Sequence, residues 1–219
     1  MSRLSRQLLI ACDQGRTNEV RFLLSQPHNV DPNFQNQNGS TPLHAASHNR
    51  HAEIVQMLLN DRRVIPNVQK NSGETPLFVA CQNGHSKVVE VLLNDGRVDV
   101  NKADSYGWTP CYVACRLGHL EAAKLLINDE RVEINKVNQN GVTPLMIASF
   151  NGYVDIVKYI LACRKEVDVN VKNKNGNTAL SYAKENGKTN VAELLDLFIS
   201  DPNPTRSKLR RFFGLPGKY

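Results

Sequence analysis

Three histidines, His51, His85 and His119, stand 34 residues apart in the chain. Histidine is the commonest general base and a frequent metal ligand, so such a set invites a catalytic or metal-binding reading. Cys111 and Cys115 are four apart, which places both thiols on one face of a helix. Asp99, Glu133 and Asp168 form a comparable spaced set of carboxylates. The spacing that makes these sets visible argues against chemistry. Each histidine follows the same kind of residue string, so repetition at one structural position predicts a capping or hydrogen-bonding role. Cys12, Cys81 and Cys115 share a slot that elsewhere holds Ser47, Ser149 or Lys184, which reads as a packing site. Cys111 takes a leucine position and belongs to the core. The carboxylates fall in repeated, solvated loops. No CxxC pair, GxSxG elbow or GxxxxGK phosphate loop occurs. No catalytic residue, metal site or cofactor is expected.

These residues are carried by a recurring string. Thr75–Asn101 reads TPLFVACQNGHSKVVEVLLNDGRVDVN, and close copies begin at Thr41, Thr109 and Thr143, each 34 residues from the next. A fixed period in this range marks a protein of stacked repeats. The TPLH box around His44, the Gly84-His85 and Gly118-His119 pairs, the paired leucines and the Asp-Val-Asn ending resemble the ankyrin repeat. Worn copies at each end bring the count to six over residues 6–199. The resemblance implies an all-α solenoid of paired antiparallel helices joined by short hairpin-like turns. The expected repeats are about 6–40, 41–74, 75–108, 109–142, 143–177 and 178–199. Together they form an ankyrin repeat domain over 1–200, followed by a basic, flexible tail over 201–219.

Within a copy, Asn-Gly pairs such as Asn140-Gly141 predict tight turns. The Thr-Pro that follows suits a helix start, with Thr as cap and Pro in the first turn. A short first helix is predicted over 76–83, closed by Gly84 in the left-handed region. An amphipathic second helix is predicted over 86–94, with Val88, Val89, Leu92 and Leu93 on one face. One residue more than the family's common repeat falls in the loop NDGRVDVN, and its Val98 is expected to plug the stack. Polar replacements at Glu19 and Asp196 predict opposite free ends, and so a complete array.

Net charge is +6, of which residues 201–219 carry +4. The repeat body is nearly balanced, which does not suit a nucleic-acid surface. No apolar run approaches the ~18 residues of a membrane span. The cysteine pattern and the N-terminus, which lacks the form of a signal peptide, predict a reduced cytoplasmic or nuclear protein, expected to be a monomer.

Function must then reside where the copies differ. The resemblance implies that a partner protein binds the concave side, built from hairpin tips and the outer face of the first helices. There the sequence places Tyr106, Trp108, Tyr112, Arg116 and Phe150, with Phe78, Gln82 and His48 in earlier copies. Trp, Tyr and Arg are the usual anchors of interfaces. The expected function is non-catalytic protein recognition, as adaptor, scaffold or inhibitor. In the alternative, the array is a rigid spacer and the basic tail, through Lys208, Arg210, Arg211, Phe212, Phe213 and Lys218, docks to a partner, membrane or nucleic acid. A host-directed effector role belongs to that alternative.

Overall fold

The computed structural model describes residues 3–26 and 29–216. The described residues form thirteen helices and no strand. They divide into two compact units, Met1–Ser105 and Tyr106–Tyr219.

In the first unit, three helix pairs follow one another: α1 (Arg3–Asp13) with α2 (Thr17–Leu24), α3 (Pro42–His48) with α4 (Ala52–Asn60), and α5 (Pro76–Gln82) with α6 (Ser86–Leu93). The first helices stack α1 on α3 on α5, and the second helices stack α2 on α4 on α6. The second unit repeats the plan with α7 (Pro110–Leu117), α8 (Leu120–Asn128), α9 (Pro144–Asn151), α10 (Val154–Ala162), α11 (Ala179–Glu185) and α12 (Thr189–Ser200). A further helix, α13 (Pro202–Phe212), packs on α10 and α12.

The helix starts form as the sequence predicts. Thr75, Thr109, Thr143 and Thr178 each accept a hydrogen bond from the backbone amide three residues on, at 3.1–3.2 Å. Pro at the first position costs nothing there, because that amide has no intrahelical partner. Small residues at the helix contacts, Ala46, Ala80, Ala114 and Ala148, are fully buried, so backbones approach closely. The loop valines Val30, Val64, Val98, Val132 and Val167 are all buried beneath the loops.

The recurring loop has a second device. In the first unit Asp95 binds Arg97, and Arg97 Nη2 donates 2.6 Å to the Leu59 carbonyl while Nη1 donates to Val64. Arg63 does the same to Leu24 and Val30. In the second unit Lys165 Nζ reaches the Asp129 and Val132 carbonyls. Each loop cation thus satisfies one carbonyl at the end of the previous copy's second helix and one in the loop that follows it. Asparagines tie the loops together as well. Asn67 accepts from the Asp99 amide and donates to the Arg97 carbonyl.

Residues 202–212 are helical, not the flexible tail expected. Pro202 does end α12, but it also starts α13 at a first-turn position. Thr205 and Leu209 are buried, and Phe213 meets the Tyr159 ring edge-on at 5.0 Å. The helix therefore has an apolar face with a surface to cover, which the basic composition conceals. Lys218 lies outside the described residues.

Candidate functional site

The second unit brings four of the expected residues into one cluster. Tyr106 and Trp108 come from a hairpin tip, and Tyr112 and Arg116 from the following helix, α7. The Tyr106 and Trp108 rings are 5.3 Å apart, and Trp108 stacks on Tyr112 at 5.7 Å. The Arg116 guanidinium sits 4.5 Å from the Trp108 ring centre, a cation–π contact. Hairpin geometry fixes the tip: Gly107 takes φ +77°, and the Tyr106 carbonyl accepts from the Gln139 amide of the next hairpin. Asn151 donates to the Arg116 carbonyl at 3.1 Å and so steadies the end of α7. Tyr106 is 62% exposed, Trp108 and Arg116 are half-buried, and Tyr112 is buried.

Phe150, 40% exposed on α9, lies in the same unit and pairs edge-on with Tyr182 at 5.5 Å. Tyr182 escaped sequence reasoning. The available signal was an aromatic at the position after Ser181, where other copies carry Ala45, Val79, Val113 or Ile147. Asn173 donates to the Tyr182 hydroxyl at 2.6 Å and holds the ring in place.

In the first unit, His48 and Gln82 are exposed on the ends of α3 and α5. His48 lines a cavity of about 230 Å³ with Asp13, Asn36, Lys70 and the buried His44. Phe78 is 1% exposed and Tyr112 4%. Both are corrected from candidate contact residues to supports: each occupies the TPLH histidine slot, which points into the repeat. His44 itself accepts at Nδ1 from the Thr41 amide and donates from Nε2 to the Glu74 carbonyl at 3.0 Å. Burial lowers its pKa to about 4.

The spaced histidines do not assemble. His51 and His85 bond through Nε2 to the carbonyls of Asp13 and His48, so each ties its helix pair to the preceding copy. Neither side chain caps its own helix. The five cysteines are buried and none is in a disulfide. Burial raises the pKa of Cys12 and Cys163, so both thiols stay protonated. Arg63, hydrogen-bonded to Asp61, holds that carboxyl below the usual range, and Arg131 does so for Asp129. Among the described residues no group of three His, Cys, Asp or Glu could hold a metal ion, and no helix is long and apolar enough to cross a membrane.

The sequence pattern described as "Ankyrin repeats (3 copies)" matches residues 8–104, 62–136, 96–173 and 130–205. The chain belongs to the ankyrin repeat family. Its fold is that of an all-α ankyrin solenoid. The ankyrin repeat protein EF0377 superposes with TM-score 0.79 at 30% identity, over 86% of this chain and 96% of that one. A chain of the complex between the predatory endopeptidase Bd0816 of Bdellovibrio bacteriovorus and the immunity protein Bd3460 matches with TM-score 0.75 at 30% identity. That match covers 90% of this ankyrin chain and 98% of the other. Oxysterol-binding protein-related protein 1 of Rattus norvegicus is 45% identical over 53 residues, which are 24% of this chain. The chain spans 6% of the length of that relative.

Proposed function

We infer that this chain is a non-catalytic protein-recognition module, an adaptor, scaffold or inhibitor, working in the cytosol or nucleus. The observation that carries the reading is the exposed Tyr106 ring backed by Trp108 and clamped by Arg116. Aromatic and Arg anchors held rigid before binding lose little entropy when a partner covers them. Phe150 and Tyr182 extend the surface within the second unit, and His48 and Gln82 supply polar contacts in the first. His44 and the five thiols are buried, and His51 and His85 bond to backbone carbonyls, which gives these groups packing and bonding roles among the described residues. A solved relative of similar fold comes from a complex between an endopeptidase and an immunity protein, which supports a protein as the partner class.

The test is affinity capture from a lysate, followed by mass spectrometry, with wild type and Tyr106→Ala side by side. A protein retained by wild type and lost from the variant, with little change across a salt titration, is expected. Retention unaffected by Tyr106→Ala but abolished by salt would move recognition to the basic C-terminal segment.

A further inference from the structure

The arginines of α13 do two things. Arg206 Nε donates 3.3 Å to the Leu161 carbonyl, and Arg210 Nη1 donates 3.0 Å to the Ala162 carbonyl while its Nη2 donates to the Pro216 carbonyl. They therefore close the end of α10, as the loop cations Arg63 and Arg97 close α2 and α4. Capping does not use up the positive charge. Arg206 and Arg210 line a cavity of about 500 Å³ together with Arg164, Arg211, Asn203 and Ser207. No carboxylate lines this cavity. None of its four arginines forms an ion pair among the described residues. Arg210 is only 7% exposed, and its Nε is buried with no hydrogen-bond partner. A buried charged donor left open is costly, and native proteins rarely leave one without purpose.

We propose that this cavity is a binding site for a small phosphorylated ligand carrying two adjacent phosphoryl groups. The guanidinium fork matches phosphate oxygens in pairs, and the two exposed forks of Arg164 and Arg211, with the charges of Arg206 and Arg210 behind them, suit a diphosphate better than a single carboxylate. Asn203 and Ser207 add neutral polar groups at the rim. The volume is within the usual range for small-ligand pockets. An anion here offsets the mutual repulsion of Arg164, Arg206, Arg210 and Arg211. Ligand binding in turn fastens α13 onto α10. The site is separate from the Tyr106 cluster and does not depend on the recognition function.

Isothermal titration of the full chain with pyrophosphate, at physiological ionic strength, tests the site. Saturable one-to-one binding is expected. The double variant Arg164→Gln/Arg211→Gln removes two exposed arginines and leaves the Arg206 and Arg210 caps in place. It should bind at least about tenfold more weakly while keeping its circular dichroism. Arg210→Gln should weaken binding further, though it also loosens α13. Lys208→Gln removes one charge outside the cavity and should leave the affinity unchanged, as should Tyr106→Ala. Vesicles bearing a diphosphorylated inositol headgroup, competed with pyrophosphate, distinguish a lipid source from a free ligand. Absence of saturable binding overturns the proposal. So does equal weakening by Lys208→Gln, which would reduce the effect to diffuse charge.

Discussion

The Arg116 guanidinium lies 4.5 Å from the centre of the Trp108 ring, and the same ring stacks on the buried Tyr112. The indole is thereby committed within the fold, and the Tyr106 ring lies 5.3 Å from it, tilted by 33°. The cluster is packed together before any partner arrives. Tyr106→Ala, at a 62% exposed position, should leave the melting temperature nearly unchanged. It should weaken partner binding at least about 30-fold, the effect of a ~2 kcal/mol anchor. Trp108→Ala should weaken binding as much and also cost stability. Surface plasmon resonance on the captured partner checks both. Normal binding by folded Tyr106→Ala and Trp108→Ala would remove this surface from consideration.

The second prediction concerns pH and His44. Its ordinary pKa of 6.5 is lowered to about 4 in the fold, by burial first and by Lys70 next, against opposing contributions from the Glu74 carbonyl and carboxylate. The unfolded chain therefore takes up the proton first as pH falls. Stability from this group is complete above pH 6.5 and is lost between 6.5 and about 4. The loss amounts to about 3 kcal/mol. His44→Phe copies the neighbouring repeat, where Phe78 fills the slot. The gap between wild type and variant in urea unfolding should shrink by about this amount from pH ~7 to pH ~4. A gap independent of pH would contradict the assignment.

The loop cation gives a third. Arg97 spans Asp95, the Leu59 carbonyl and the Val64 carbonyl. Arg97→Ala removes the partner of the Leu59 carbonyl in α4 and of the Val64 carbonyl in the loop, and should cost about 1–3 kcal/mol. Lysine keeps the charge and can reach two carbonyls, as Lys165 does, but it loses the paired guanidinium contact with Asp95, so Arg97→Lys should recover only part of the loss. Chemical denaturation of both variants decides, and full recovery by lysine would reduce the role of Arg97 to its charge.

The fourth rests on Gly118, which has φ +78° and where an added Cβ would lie 2.8 Å from the Tyr153 ring. Gly118→Ala should cost about 1–2 kcal/mol from the left-handed backbone alone, with the clash added. In a double-mutant cycle, Tyr153→Ala should relieve the clash and leave the backbone cost. Additive effects of the two substitutions would show that the ring yields without penalty.

Much of this fold is written locally and therefore legible in the sequence. Thr caps, first-turn prolines, left-handed glycines and loop valines act over a few residues, and the 34-residue period multiplies each signal. The cluster of Tyr106, Trp108 and Arg116 follows from the same register, because residues at fixed repeat positions come to a common face. Depth was not legible. Phe78 and Tyr112 share a slot with His44, and a polar precedent in that slot hid its burial. Only the tertiary structure decided the fate of the C-terminal segment. Pro202 both stops α12 and starts α13, and the choice between helix and free end depends on what Leu209 and Phe213 can cover. That surface is on α10, some 45 residues away in the chain, where Arg206 meets the Leu161 carbonyl. Contacts of such separation leave no period behind, so local propensity could not record them and packing settled them.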